Sequence, residues 1–192
     1  MKREKMLYKL KKSLDAQRFA HTLGVEKTAR EMARRFGGDE ERAALAGLLH
    51  DCAKCMTLAQ MQKAAKGETV DPVMMESKAL MHAVAGCCVA REMYNVKDKK
   101  VLSAIRWHTT GRAGMSKLEK IIYLADMIEP GRKSFAGLEM LRAACREDLD
   151  VAMHMALRMS YEHVMQQGKP LHPDTLAALE EYEHSPQGTQ AL

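Results

Sequence analysis

Apolar residues recur along this chain at steps of three and four, the period of one helical face, and no run alternates at steps of two. The stripe Leu14, Arg18, His21, Val25, Ala29, Met32 and Phe36 predicts a helix from about Asp15 to Phe36, stopped by Gly37-Gly38. A short basic helix, Lys2 to Lys12, precedes it. Asp39 is placed to cap a third, Glu40 to about Cys52, with Leu45, Leu48 and Leu49 inward. Thr57 caps a short fourth over Leu58 to Ala65. Asp71-Pro72 opens the next, with proline near the first helical position. That helix, or the one after it, runs to about Tyr94 on the stripe Met75, Ala79, His82, Gly86, Val89. Asp98 starts another, with Val101, Ile105 and His108 on one face. Ser116 and Glu119 stand at capping-box spacing before the most apolar stretch, Leu118 to Ile128, which contains Asp126. Helices over Leu138–Cys145, Asp148–Gln167 and Thr175–His184 follow, the last after a turn at Leu171-His172-Pro173-Asp174.

Composition narrows the class. The chain has 192 residues, a length that suits one domain, and we read it as a single all-α helical bundle over 1–184 with a polar tail, 185–192. Aromatics are only 5% and methionines number 16, so the core is built from Leu, Ala, Met and Ile, which favours helix over sheet. A net charge of +5 suits an anionic ligand but is too weak and dispersed for nucleic acid. No window of about 18 apolar residues exists, so no membrane span is expected. The five cysteines, an odd number without secretory context, point to reduced thiols and a cytoplasmic protein. Cys52-x-x-Cys55 has no second pair at zinc spacing, which disfavours a zinc or redox reading.

Six residues interrupt apolar faces: His21, His50, Asp51, His82, His108 and Asp126. One such histidine alone is more often a hydrogen-bonded core residue. Asp126 alone could pair with a buried arginine such as Arg18, and Lys54 alone is a solvated cation near a helix end. The coincidence of all six on inward faces points instead to a shared site. Buried carboxylates need a partner or a cation. A mixed His and Asp set suits octahedral iron, manganese or a related divalent ion better than structural zinc. Such an ion would polarise a phosphoryl oxygen and activate a water. Arg18, Arg112, Arg132 and the turn Thr109-Thr110-Gly111 are candidates for binding phosphates.

His21, then His50-Asp51, then Asp126 resembles the HD superfamily of metal-dependent phosphohydrolases in order and spacing. Arg18–Val25, Leu48–Lys54, Ile105–Gly111, Tyr123–Arg132 and Gly168–Pro173 are similar to segments of its YqeK family, which split diadenosine tetraphosphate symmetrically into two ADP with iron as the metal. After Arg132 the chain departs from the family's shorter Arg-x-Phe-Pro-Gly, reading Lys133-Ser134-Phe135-Ala136-Gly137. The resemblance implies a single-domain HD bundle in which His21, His50, Asp51 and Asp126 hold iron (Fe2+ or Fe3+), with Mn or another divalent ion as substitute. It sets Arg18, His82, His108, Thr109, Arg132 and the Gly168, Leu171, His172, Pro173 turn against the nucleotide. Asp51, Lys54, His82 and His108 are the expected catalytic groups, and His82 with His108 could instead hold a second metal. The expected partners are a dinucleoside polyphosphate and its product ADP, with no nucleic acid and no membrane; a homodimer is compatible with this reading. The rivals are another HD nucleotide phosphohydrolase, acting on mononucleotides, cyclic nucleotides or guanosine polyphosphates, and a non-catalytic nucleotide-binding module.

Overall fold

The computed structural model describes residues 1–184, all helix and connecting turn; the predicted tail, 185–192, lies outside the described residues. The helices are α1 (Arg3–Ser13), α2 (Ala16–Arg35), α3 (Glu40–Leu49), α4 (Leu58–Ala64), α5 (Pro72–Glu76), α6 (Lys78–Tyr94), α7 (Lys99–Trp107), α8 (Lys117–Ile128), α9 (Leu138–Glu147), α10 (Leu149–Gln166) and α11 (Pro173–Glu183). Most starts are set by local side-chain chemistry. Asp15, Asp39, Thr57, Asp71, Asp98, Ser116 and Asp148 each accept a bond from a backbone N–H of the first turn, a group the helix itself leaves without a partner. Thr57–Gln60 and Ser116–Glu119 complete reciprocal capping boxes.

Packing follows the stripes. α2 lies against α3 and α8, α3 against α7 and α8, and α6 against α4, α5 and α7, while α10 covers α8, α9 and α11. Leu48, Leu49, Ile105, Ile121, Ile122 and Leu124 fill the space between them and are essentially inaccessible to water. α2 and α3 approach closely at Gly47, where an added Cβ would stand 3.0 Å from the Val25 carbonyl and 3.1 Å from Glu26 Cα. Those neighbours are backbone and cannot swing aside. Gly47→Ala gains up to about 1 kcal/mol of helix propensity but incurs overpacking of about 1–3 kcal/mol, so a net loss is expected. A thermal melt should show the midpoint falling by a few degrees; an unchanged or higher midpoint would contradict the close approach.

Four local expectations are corrected. The long stripe starting at Met75 is broken because Ser77 is extended (φ -108, ψ 106) and separates α5 from α6. Met75 and Ala79 therefore face solvent, while Met74 and Met81 turn inward. Leu45 is half-buried rather than buried. The third helix stops at Leu49, not Cys52, and tight turns follow, with Cys52 N–H bonding the Leu49 carbonyl (3.1 Å) and Lys54 N–H the Asp51 carbonyl (2.9 Å). α11 begins at Pro173, two residues ahead of the predicted Thr175, because proline fits the first helical position.

Candidate active site

The helix ends place the chemistry. His50 directly follows α3 and His108 directly follows α7, where the last carbonyls of a helix lack intrahelical donors. Each imidazole supplies one: His50 Nδ1 donates to the Gly47 carbonyl (2.7 Å) and His108 Nδ1 to the Ile105 carbonyl (2.7 Å). That leaves both Nε2 atoms with a lone pair, directed into the space between α2, α3, α6 and α8. His21 enters it from α2, His82 from α6, Asp51 from the turn after His50, and Asp126 from the last turn of α8. The rings stand edge to face, with centroids 5.3 Å apart for His21–His50, 5.0 Å for His50–His108 and 4.9 Å for His82–His108.

The donor atoms converge. His21 Nε2 lies 2.9 Å from Asp126 Oδ1 and 3.8 Å from Asp51 Oδ2. His50 Nε2 lies 3.5 Å from Asp51 Oδ2 and 3.8 Å from Asp126 Oδ1. His82 Nε2 is 3.0 Å and His108 Nε2 3.7 Å from Asp51 Oδ1. His21, His50 and Asp126 form one group of ligand atoms within 4.8 Å of one another; His50, Asp51 and His108 form another. Despite these short separations, His21 Nε2, His50 Nε2 and Asp51 Oδ1 are buried without a hydrogen-bond partner of acceptable direction. Close approach without hydrogen-bond alignment is what converging lone pairs produce, and a shared cation would satisfy them. The residues present therefore fit a divalent metal ion, with hard and intermediate ligands only; no cysteine joins either group among the described residues.

The electrostatics agree. Burial alone would raise the Asp51 carboxyl, yet His50 and the close imidazoles of His108 and His82 outweigh it and hold it well below the usual carboxylate range. Asp126 is depressed likewise: enclosure works against it, but His21, His50 and Arg132 prevail. A carboxylate at the C-terminal end of a helix faces the negative pole of the helix dipole, so Asp126 depends on those neighbours. Burial disfavours charge on His50, but Asp51 outweighs it and leaves its pKa raised. Burial pushes His82 down to about 4, so it is neutral near pH 7.

Several placements depart from the simplest sequence reading. Arg18 pairs with Asp51 (Nη1 to Oδ2, 2.7 Å), not with Asp126, which has Arg132 at 3.4 Å instead. Lys54 is no free helix-end cation: its Nζ lies 3.1 Å from His82 Nε2 and 3.8 Å from Asp51 Oδ1, and burial lowers its pKa. Thr109 follows His108 with its hydroxyl buried and without a partner. None of Gly168, Leu171, His172 and Pro173 contributes an atom to either ligand group. The adjoining Lys169 and Pro170 line a separate cleft of about 560 Å³ with Ser77, Ala79 and Leu80, and the buried His172 ring caps α11 through Asp174 N–H (3.2 Å).

Beside His21 opens a cleft of about 720 Å³ lined by Arg18, Lys27, Arg132, Lys133, Phe135 and the Glu129–Gly131 turn. Lys27, Lys133, Phe135 and Glu129 were not read as site residues from the sequence. Glu129 is 2% exposed and touches His21, and its signal was visible: an acid three residues after Asp126, at the end of an apolar helix.

An all-helical fold that gathers histidines and aspartates from separate helices around one cation site, with arginines at its rim, defines a metal-dependent hydrolase of the HD class. The HD domain family matches residues 18–131. A protein of Halalkalibacterium halodurans called symmetrical bis(5'-nucleosyl)-tetraphosphatase is 39% identical over 92% of this chain and 95% of its own length. A protein of Bacillus subtilis with the same name is 37% identical over 91% and 94%. A solved structure from Clostridium acetobutylicum, described as a predicted HD superfamily hydrolase involved in NAD metabolism, superposes with a TM-score of 0.91 at 38% identity, covering 94% of this chain and 96% of that one. The chain belongs to the HD-domain family of hydrolases that includes the symmetrical bis(5'-nucleosyl)-tetraphosphatases, the YqeK type.

Proposed function

We propose that this hydrolase cleaves diadenosine tetraphosphate into two ADP, with iron as its native metal and manganese as a working substitute. The observation that carries the reading is the set of buried, unpartnered ligand atoms, His21 Nε2, His50 Nε2 and Asp51 Oδ1, at the edge of an arginine-lined cleft. The symmetrical cut and the nucleotide are supported by the names of relatives 37–39% identical to the chain.

His21, His50, Asp51 and Asp126 are the residues we assign to the metal. When bound, the ion polarises the phosphoryl oxygens and makes water a stronger nucleophile. Arg18 and Arg132 hold phosphates at the cleft mouth, and the cleft receives one nucleoside diphosphate half. A water oxygen bonds to one of the two central phosphorus atoms, and the P–O bond to the bridging oxygen breaks. That bridging oxygen leaves on the second ADP. One water proton passes to Asp51, whose oxygens lie within 3.8 Å of His21, His50 and His82. Lys54, made more acidic by burial, holds the charge on the departing phosphate together with the neutral His82 and with His108. The His50, Asp51, His108 group favours a second reading for the metal count, in which one further ion joins the first.

No helix of the described residues is long and apolar enough to cross a membrane. The described cysteines are all unpaired, which supports a cytoplasmic location.

The test is product analysis. Metal-free protein is reloaded with Fe2+ or Mn2+ and given diadenosine tetraphosphate beside a panel of mononucleotides, cyclic nucleotides and guanosine polyphosphates. ADP as the only product, from the dinucleotide alone, is expected. AMP plus ATP, released phosphate, or preferred turnover of another nucleotide would overturn the reading. Bound metal per chain, measured on the same samples, separates one ion from two.

A further inference from the structure

Glu129 is buried beside the cluster although it is not one of the assigned ligands, and an acidic side chain is rarely enclosed without dedicated partners. Here both oxygens are used. Oε1 faces His21 Nδ1 at 3.0 Å, and Oε2 accepts the Gly131 N–H at 2.6 Å. The backbone is held as well: the Glu129 carbonyl accepts from Arg142 Nη2 (3.0 Å) and from the Arg132 N–H (3.0 Å). An ionised carboxylate only accepts, so His21 carries its proton on Nδ1 and turns an Nε2 lone pair toward Asp126 and Asp51. The opposite wall is Gly24, one turn along α2 from His21. A Cβ built on Gly24 would overlap Glu129 Oε2, so this helix position has room for the carboxylate only because it is glycine. Asp126, Glu129 and Arg132 thus leave the end of α8 at three-residue steps, and each meets a different part of the site.

We propose that Glu129 is a positioning residue that fixes the tautomer and plane of His21 and thereby sets the affinity of the site for its divalent ion, with Gly24 providing the space that makes this possible. The inference rests on the reading of His21 as a metal ligand. Glutamine cannot replace Glu129, because its amide accepts at one end only. Its NH2 group would face the donor on His21 or the donor on Gly131. Outer carboxylates of metal-bound histidines set ligand orientation and basicity, and their loss typically costs about 10–100-fold in metal affinity.

The experiment uses metal-free full-length wild type, Glu129→Gln and Gly24→Ala, with no nucleotide present. The Mn2+ dissociation constant is measured by competition with a chromophoric chelator, and each metal-free protein is melted. Both variants should bind Mn2+ about 10–100-fold more weakly, while a cooperative melt of each metal-free protein shows that it is folded. Gly24→Ala is the sharper arm, since it displaces the carboxylate while every titratable group is kept. It decides the matter alone if Glu129→Gln does not fold. Their turnover loss should be deeper at limiting than at saturating Mn2+, with KM for the nucleotide little changed. Unaltered Mn2+ affinity in a folded variant overturns the proposal, as does a lowered melting point with wild-type metal affinity, the mark of a purely structural role. A wild type that binds Mn2+ but leaves diadenosine tetraphosphate intact would overturn the proposed substrate and leave this inference standing.

Discussion

Asp51→Asn should lower kcat/KM by about 10³-fold or more while the protein stays folded, since a bound metal's electrostatic contribution is several kcal/mol and each 1.36 kcal/mol is about tenfold in rate. Asp51 touches every part of the site: Arg18, His50, His82 and His108 all approach its two oxygens, and Lys54 stands within 3.8 Å. Asparagine keeps the shape and removes the charge. The amide nitrogen then presents a donor where a metal needs an acceptor, and the one carboxylate of the His50, Asp51, His108 group is lost. Stability should change little in the metal-free protein. The buried charge that needs compensation disappears with its partner bond, and Arg18, with its side chain 30% exposed, can turn to water. Steady-state kinetics with saturating Mn2+, alongside a melt of the metal-free variant, checks both halves. Retention of more than about a tenth of wild-type kcat/KM by a folded Asp51→Asn protein would remove Asp51 from the metal and proton roles assigned to it.

Arg18→Ala should act in the opposite sense on metal and on substrate. In the metal-free site Arg18 neutralises Asp51 at 2.7 Å. A divalent ion takes over that neutralisation and leaves the guanidinium to the phosphates, which it can grip through two parallel N–H bonds. Charge-assisted hydrogen bonds contribute about 1.5–3 kcal/mol, so kcat/KM should fall roughly 10–150-fold, much of it in KM. Metal affinity should stay level or rise, because a positive charge beside the ion has been removed. Arg18→Lys should recover part of the loss, keeping the charge without the fork. Metal titration beside substrate kinetics shows the split. Weaker metal binding in Arg18→Ala would mean that Arg18 shapes the ligand set rather than holding phosphate. This pattern also distinguishes Arg18 from Glu129, whose replacement should weaken metal and leave KM little changed.

Much of the fold could be read along the chain. Asp15, Asp39, Thr57, Asp71, Asp98 and Ser116 cap helices because a side-chain oxygen needs only the N–H groups two or three residues ahead. The failures are also local in cause. Ser77 broke a stripe whose residues could equally have continued one helix, since periodicity does not reveal a single extended residue. The residues of the cluster were legible because histidine and aspartate on an apolar face cannot be explained by burial alone.

Their partners were not legible. That Arg18 meets Asp51 across 33 residues, and Glu129 meets His21 across 108, depends on how α2 docks against α3 and α8. The inward turn of Lys54 depends on the early end of α3, and the cleft that Lys169 and Pro170 line depends on where the end of α10 meets α5 and α6. The sequence by itself determined the helices, their caps and the ligand types, all governed by contacts within a turn or two of the chain. Only the tertiary structure decided which charges pair, which ligand atoms remain unpartnered and what holds His21 in place. Those outcomes depend on angles and separations between packed helices, to which residues far apart in the chain contribute together.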